Sequence, residues 1–322
     1  MARACLNDTT AFDRAGVFCS NESRPLLQPP SDERLTRAPM HLEDDSPGHH
    51  LQRSEFIRRL VQAPPPSTAP ENQGTSIPRR IVQYWHDLQA LPPDVQECMD
   101  SWSMWASSGF EYRVFDVRSA ARFIKQSLGR DHLRAFMRCY HPAMQADYFR
   151  LSYLVIDGGM YVDADDVCIA KDISELFVGS GVKVQPLCYD MASDSMVRCE
   201  VFLQAGTNRE GLIFYLNNNP LIACEGDPIL SRALERATLR LNFAAVGELP
   251  EIQSTTGPGN LSRIIFELGA RYADEHRVTV LRTWDSIGMS KWPLSYRADG
   301  RNWRISNGKR FSFDGEGRHE PV

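Results

Sequence analysis

The stretch from His141 to Cys168 reads HPAMQADYFRLSYLVIDGGMYVDADDVC and carries the signals for a long helix followed by a strand. Pro142 suits the first turn of a helix, because its missing N–H would have no helical partner there. Gly158 and Gly159 suit the left-handed backbone that ends a helix. The pattern therefore predicts a helix from Ala143 to Ile156.

Two faces of this helix differ in chemistry. Asp147, Arg150 and Leu154 lie on one face by their spacing, so a carboxylate and a guanidinium are presented together. The apolar positions that favour packing are Met144, Tyr148, Leu151 and Val155. The helix is thus predicted to pack through one face and to present charge on the other.

An acidic cluster follows the helix and its glycines. Met160–Val162 is a short β-prone run with Asp163, Asp165 and Asp166 at its carboxyl end, which is where ligands bind in open α/β sheets. Such closely spaced carboxylates repel one another unless a cation lies among them, and oxygen ligands select a hard ion such as Mg²⁺ or Mn²⁺. A metal site is predicted, with a solvated acidic turn as the alternative.

These residues also form a longer signature. The run is Ala146-Asp147-x-x-Arg150-x-x-x-Leu154-x-x-x-Gly158-Gly159-x-Tyr161-x-Asp163-x-Asp165. It resembles glycosyltransferase family 32, the DXD sugar transferases related to yeast mannosyltransferases, and more distantly the glucosylating domains of large clostridial toxins. The resemblance implies a GT-A fold, which is a Rossmann-like mixed α/β sheet flanked by helices. It also implies a nucleotide-sugar donor, Mn²⁺ or Mg²⁺, and retention of the anomeric configuration.

The resemblance further implies roles around the acidic cluster. Asp165 would ligate the metal directly, and Asp163 would bridge toward the ribose or a coordinated water. Asp147 would lie near the sugar hydroxyls, with Arg150 near both the sugar and the phosphates. Gly159 and Tyr161 belong to the donor side of the same signature, and catalysis is assigned to Asp163, Asp165 and Arg150.

Two more stretches are implied to reach the donor. The predicted strand Ile81–Trp85 ends in an aromatic that relatives place against the nucleotide base, so Trp85 is a candidate, with Gln83 and Tyr84 near it. Burial of Trp85 in the core is an equal alternative. In toxin-like relatives a Ser-x-Trp from a C-terminal loop closes on the metal and the diphosphate. Ser290-Lys291-Trp292 fits that spacing.

Composition limits the classes of function. The chain has 322 residues with a formal net charge of −5 and no long basic block, which argues against nucleic acid as a partner. Its 8 cysteines form no C-x-x-C pair, so a reduced intracellular protein is favoured. No run approaches the ~20 apolar residues that span a bilayer. Eukaryotic members of the resembling family are typically membrane-anchored, so the resemblance, together with the lack of such a run, implies a bacterial cytoplasmic enzyme without a transmembrane segment. An exported effector is the alternative.

The chain divides into an arm and a catalytic domain. Residues 1–76 are rich in Pro, Ser and charged residues, which is typical of a mostly disordered arm. Within it 51–63 is predicted as a short helix with one apolar side, and we expect it to dock onto the catalytic domain. Binding of a partner or an acidic membrane surface is the alternative. Residues 77–322 are predicted to form a single catalytic domain.

The remaining elements follow from shorter patterns. The predicted strands are Glu111–Phe115, Val182–Val184 and Val201–Leu203, and the predicted helices are Pro93–Ser107, His132–Cys139, Glu210–Leu216 and Pro228–Leu239. Thr255–Gly259 precedes a further helix predicted from Asn260, whose free N–H groups are candidates for phosphate or sugar oxygens.

Other functions compete with sugar transfer. Asp163-Ala164-Asp165-Asp166-Val167 also satisfies the nucleophile motif of haloacid-dehalogenase-type phosphatases, but several elements precede it, whereas that motif normally opens its domain. A non-catalytic binder with the same fold is a third possibility. For the transferase, a UDP-hexose is the first choice of donor and GDP-mannose the second, while the hydroxyl acceptor, in a glycan, lipid or protein, stays open.

Overall fold

The computed structural model describes residues 47–63, 77–203, 211–272, 278–291, 293–306 and 308–311. Most of the predicted arm lies outside the described residues, and so does Trp292. None of the helices in these ranges is long and apolar enough to cross a lipid bilayer.

The described residues form both helices and strands. The helices are α1 (Pro47–Gln62), α2 (Pro93–Ser103), α3 (Val117–Ser127), α4 (Arg130–Arg138), α5 (Pro142–Asp157), α6 (Cys199–Phe202), α7 (Pro228–Phe243), α8 (Ile252–Thr255), α9 (Pro258–Tyr272) and α10 (Trp303–Ser306). The strands are β1 (Arg80–Tyr84), β2 (Glu111–Phe115), β3 (Gly159–Tyr161), β4 (Asp166–Cys168), β5 (Val182–Asp190), β6 (Ser195–Val197), β7 (Leu212–Ala223), β8 (Val278–Val280) and β9 (Gly288–Ser290).

A mixed sheet organises the described part of the chain. Its order is β2-β1-β3-β7-β5-β6, and β8 pairs with the first residues of β5. Strand β1 is parallel to β2 and β3, whereas β7 is antiparallel to both β3 and β5. Strands β4 and β9 form a separate two-stranded ribbon. The predicted mixed α/β sheet flanked by helices is confirmed.

The turn between α5 and β3 shows why two glycines stand there. Gly158 and Gly159 have φ angles of 62° and 107°, which side chains rarely adopt. A Cβ on Gly158 would lie 2.7 Å from the backbone nitrogen of Glu225, and one on Gly159 would lie 2.8 Å from the carbonyl oxygen of Arg80. The glycines therefore let β3 approach its neighbours closely at the start of the strand that leads to the acidic cluster.

Helix α1 covers the stretch predicted as a helix over 51–63. Its Ile57 and Val61 are fully buried in the main core. The Ser54 hydroxyl accepts a hydrogen bond of 2.9 Å from the backbone of Phe214 in β7. Arg282 donates to the Val61 carbonyl at 2.9 Å from the other side. The helix is therefore packed against the sheet and its core.

Two of the shorter predictions are wrong. Val201–Leu203 is not a strand, since α6 spans Cys199–Phe202. The predicted helix Glu210–Leu216 is replaced, over its described residues, by β7. The short apolar run has no period that separates helix from strand, and pairing with β3 and β5 decides in favour of the strand.

Candidate active site

One large cavity, of about 720 Å³, opens at the carboxyl ends of β1 and β3. These strands are parallel neighbours, so the residues that follow them meet at one edge of the sheet. The predicted residues in its wall are Tyr84, Trp85, Asp147, Arg150, Asp163, Asp165 and Ser290. The structure thus brings together residues from four separate parts of the sequence.

Arg150 lies at the centre of a buried charge network. Its side chain is 4% exposed, and one guanidinium nitrogen contacts Asp163 Oδ1 at 2.8 Å and Asp147 Oδ1 at 3.1 Å. The other terminal nitrogen donates to the carbonyl of Asn218 at 2.7 Å. The ring of Tyr161 lies against the guanidinium, with 4.4 Å between the Cζ atom and the ring centroid. Arg150 is therefore held in a single orientation from several directions.

The protonation of this network is shifted by burial and by neighbouring charges. Burial raises the pKa of Asp163 to about 6; Arg150 opposes this shift, while Asp165 and Asp147 add to it. Burial also raises the pKa of Asp147, against the opposing charge of Arg150. The pKa of Arg150 is raised because Asp163 and Asp147 outweigh the effect of its burial. The guanidinium is therefore a permanent positive charge in the cavity wall.

Asp165 is held by residues near the carboxyl end of the chain. Its Oδ2 accepts a hydrogen bond of 2.6 Å from the Tyr296 hydroxyl and another from the guanidinium of Arg297. Arg297 also donates to the Ser290 hydroxyl at 3.1 Å. Sequence reasoning missed Tyr296 and Arg297, because no spacing links them to the acidic cluster across more than a hundred residues.

Two of three consecutive asparagines in β7, Asn218 and Asn219, support the acidic residues. Asn219 accepts from the backbone N–H of Asp163 and donates to Asp166 Oδ2, both at 2.9 Å. Asn218 donates to Asp147 Oδ1 at 2.8 Å. They were not found from the sequence, because the pattern just before them predicts a helix. A run of asparagines inside an apolar, β-prone segment is the signal that would have found them.

Gln83 lies behind the cavity rather than in its wall. It is fully buried, donates to the Asp163 carbonyl at 3.0 Å and accepts from the Tyr112 hydroxyl at 2.6 Å. Gly159 and Tyr161 also lie beneath the surface, where they set the course of β3 and support Arg150. The structure places these three predicted donor residues as supports of the site.

The aromatic end of β1 does reach the cavity. Tyr84 lines it and donates to Gln145 at 2.8 Å. Trp85 is 8% exposed and packs edge-on against Tyr296, with 5.2 Å between the ring centroids. Its indole nitrogen is buried and has no hydrogen-bond partner among the described residues. Trp85 is thus both a packing residue and part of the wall.

The oxygen donors in the wall fit a hard divalent cation. Asp163, Asp165, Asp166 and Ser290 all face the cavity, and Asp166 is paired in register with Ser290 between β4 and β9. Asp166 Oδ1 is buried without a hydrogen-bond partner among the described residues. No three acidic, histidine or cysteine side chains in the described ranges converge on one point. An ion bound here would therefore take few protein ligands and complete its shell with ligand oxygens and water.

Burial and the two neighbouring carboxylates raise the pKa of Asp166 well above its usual range, although a hydrogen bond from Asn219 opposes this. Of the acidic trio, Asp166 is the most deeply buried, at 2% exposure. A cation near this group would oppose the shift, because it stabilises the charged carboxylate. The electrostatics of the trio thus agree with the oxygen chemistry.

Part of this chain matches a known protein family. Residues 92–178 match the family described as "Glycosyltransferase sugar-binding region containing DXD motif". They include Asp147, Arg150, Asp163 and Asp165. A curated relative, "Uncharacterized glycosyltransferase L373" of Acanthamoeba polyphaga mimivirus, is 27% identical over 106 residues, which cover 33% of this chain and 41% of the relative. The chain thus spans about two fifths of that relative's length. The resemblance to DXD glycosyltransferases is confirmed over this region.

Solved structures of glycosyltransferases are also similar to the chain. "PaToxG Glycosyltransferase" has a TM-score of 0.41 and 14% identity, covering 79% of this chain and 95% of its own. The UDP-bound glycosyltransferase domain from the YGT toxin has a TM-score of 0.30 and 13% identity, covering 58% and 56%. These TM-scores are low, so the fold is defined by the order of strands in the chain's own sheet.

Proposed function

We propose that this chain is a metal-dependent, retaining glycosyltransferase that moves a hexose from a nucleoside-diphosphate sugar to a hydroxyl acceptor. The observation that carries the proposal is the buried Arg150, held between Asp147 and Asp163 in the wall of the cavity that also contains Asp165. A guanidinium and several carboxylates at one edge of an α/β sheet suit a ligand with both phosphate and hydroxyl groups.

The burial of the Arg150 network favours a functional role over a structural one. Burying charges costs free energy that their attraction often fails to recover, so a buried ion pair is weak evidence for stability. An exposed pair of the same kind would contribute only ~0–1 kcal/mol. A site that has to orient a polar donor benefits from side chains already fixed in position, because binding then costs less ordering.

Each group has a proposed task in the donor complex. Trp85 and Tyr84 would contact the nucleotide base, and Asp147 would accept hydrogen bonds from the sugar hydroxyls. Arg150 would bind the sugar and the phosphates. Asp165, Asp163 and Ser290 would hold Mn²⁺ or Mg²⁺, which when bound neutralises charge on the departing diphosphate.

The carboxylate contacts support transfer by front-face attack. Asp147, Asp163 and Asp165 each accept a hydrogen bond from an amide or an arginine, which makes them poorer nucleophiles. With no covalent intermediate on these groups, the acceptor hydroxyl would approach from the face that the diphosphate leaves. Arg150 would then stabilise the leaving group.

A screen of nucleotide sugars tests the proposal. UDP-hexoses are expected to be hydrolysed or transferred in the presence of Mn²⁺ or Mg²⁺, with GDP-mannose as the second choice, and chelation should abolish turnover. Candidate acceptors are glycan, lipid and protein hydroxyls. If no nucleotide sugar is bound or hydrolysed with any divalent ion, the transferase proposal is wrong.

A phosphatase of the haloacid-dehalogenase type is less compatible with this geometry. Its nucleophile would be Asp163, whose carboxylate is already engaged by Arg150 at 2.8 Å. Thermal stabilisation separates the two functions, since UDP with Mn²⁺ should stabilise a transferase and inorganic phosphate with Mg²⁺ a phosphatase. A non-catalytic binder would show the first stabilisation without sugar turnover.

The cellular setting belongs to the same proposal. We expect a bacterial cytoplasmic enzyme, and an exported effector is the alternative. Fractionation of cells that produce the full chain distinguishes them, because an effector would be recovered outside the cytoplasm.

A further inference from the structure

We propose that Arg297 serves as an exchangeable cation: it neutralises Asp165 before the metal arrives, and it binds the diphosphate of the donor once the metal has taken its place. The inference rests on the proposed function for its second half. Its first half concerns only the chain's own Asp165, Tyr296 and Arg297 and is testable without any sugar.

The segment that carries Arg297 is anchored in the cavity wall. Ser295 donates to Asp94 in α2 through its backbone N–H at 2.6 Å and through its hydroxyl at 3.0 Å. Leu294 is 4% exposed, so it fixes the same turn by packing. The next two residues point at the acidic cluster. The contact with Asp165 is therefore built by a supported turn rather than by a long side chain lying on the surface.

Asp165 Oδ2 receives both donors of this turn. The Tyr296 hydroxyl lies 2.6 Å away, and the guanidinium of Arg297 contacts the same oxygen. The side chains of Arg297 and Asp165 are only 10% and 14% exposed. A partly buried pair of this kind is screened less by water and salt than a surface pair. Asp165 Oδ2, one of the two carboxylate oxygens that the proposed metal could use, is thus already neutralised by a cation of the chain.

A guanidinium and a divalent ion exclude each other at one oxygen. At bonding distance from the same atom they would repel strongly, and the hydrogen-bonded lone pairs are not available to a metal. Metal binding through Oδ2 of Asp165 therefore requires that Arg297 withdraw, whereas an ion held only through Oδ1 would leave the Arg297 contact in place. Ser290, the second acceptor of Arg297 at 3.1 Å, is also one of the proposed metal ligands, so both contacts would be released together.

A displaced Arg297 has a suitable new partner in a bound donor. It lines the same cavity as Arg150 and Asp163, and a guanidinium fork matches the oxygens of a phosphate group. A metal that binds alone loses the free energy of the broken Arg297–Asp165 pair. When a nucleoside diphosphate binds with the metal, its phosphate oxygens give Arg297 a new partner. The two ligands should therefore bind with positive coupling, which is reciprocal.

The test measures Mn²⁺ binding by electron paramagnetic resonance and UDP binding by calorimetry, with no turnover involved. In Arg297→Gln, Mn²⁺ alone should bind tighter by ~5-fold or more, because its competitor is gone, while UDP with Mn²⁺ should bind weaker by a similar factor. In Arg297→Lys the charge remains but the fork is lost. Mn²⁺ alone should then bind as in the parent, and UDP should still bind more weakly.

Arg301→Gln is the matched control. It removes the same charge from the same segment, but Arg301 pairs with Asp299 at 2.7 Å rather than with Asp165. Its affinity for Mn²⁺ alone should match that of the parent. Circular dichroism and melting curves identify any variant that has lost its fold. If Arg297→Gln is such a variant, Tyr296→Phe takes its place, because it removes one hydrogen-bond donor to Asp165 and no charge.

The outcomes separate this inference from the proposed function. If the parent turns over nucleotide sugars but Arg297→Gln binds Mn²⁺ alone no tighter than the parent, the exchange is wrong and the function stands. If Arg297→Gln binds Mn²⁺ tighter but neither protein binds UDP, the exchange at Asp165 stands and the donor proposal fails. Equal changes of Mn²⁺ affinity in Arg297→Gln and Arg301→Gln would show that any nearby positive charge has the same effect, and would overturn the inference.

Discussion

Replacing Arg150 by lysine tests whether the buried network is a donor clamp. The guanidinium contacts Asp163 at 2.8 Å, Asp147 at 3.1 Å and the carbonyl of Asn218 at 2.7 Å. A lysine keeps the charge but has a single nitrogen, so it cannot span all three partners. Leaving the Asn218 carbonyl unsatisfied costs ~1–3 kcal/mol, and losing one charge-assisted contact costs ~1.5 kcal/mol or more.

The expected loss of stability is therefore ~2.5–4.5 kcal/mol, which corresponds to a melting temperature lower by ~5–18 °C for a domain of this size. Loss of the fork should also weaken UDP binding with Mn²⁺ and lower kcat/KM for the donor by ~100-fold, or ~2.7 kcal/mol. Differential scanning fluorimetry, calorimetry with UDP, and steady-state kinetics measure the three effects.

Arg263→Lys is the matched control for Arg150→Lys. Arg263 is also buried, with its side chain 3% exposed, and pairs with Glu267 at 2.6 Å within α9, away from the cavity. It should lose stability but keep the parent affinity for UDP. If Arg150→Lys binds and turns over the donor as the parent does, the network is structural and the reasoning is refuted.

Three further predictions follow from neighbouring residues. Asp165→Ala should abolish turnover while the protein stays folded by circular dichroism, and a folded variant with the parent rate would exclude Asp165 as a metal ligand. Asn219→Ala should lower the free energy of unfolding by ~2–3 kcal/mol in urea melts, because it leaves the Asp163 N–H and Asp166 Oδ2 without their partner; an unchanged midpoint would contradict the network. Burial lowers the pKa of His86 from 6.5 to about 4, so the unfolded chain takes up a proton that the folded chain does not. Protonation of His86 in the unfolded chain therefore lowers the free energy of unfolding as the pH falls from 6.5 to 4, by up to ~3 kcal/mol, and has no effect above pH 6.5. The difference between the parent and His86→Gln should show this slope, and parallel pH profiles would rule it out.

Much of the site was accessible from sequence because its chemistry is local. Pro142, the helix-ending glycines and the spacing of Asp147 and Arg150 all lie within one continuous stretch. Local signals of this kind do not depend on distant contacts, so the helix, the following strand and the placement of the acidic cluster at its end could be predicted. The mixed α/β fold followed from the same alternation of periods, together with the family resemblance.

The tertiary structure alone decided what surrounds these residues. The pattern before Asn217–Asn219 predicts a helix, and only antiparallel pairing of β7 with β3 and β5 brings Asn218 and Asn219 to the acidic residues. Likewise, Asp165 and Arg297 are separated by 132 residues, and no local pattern joins them. Short segments have nearly equal propensity for helix and strand, and a buried carboxylate accepts any donor that the fold delivers. Long-range packing therefore determined both that β7 is a strand and that Arg297 pairs with Asp165. The free-energy difference between the alternatives is large enough to decide only when these tertiary contacts form.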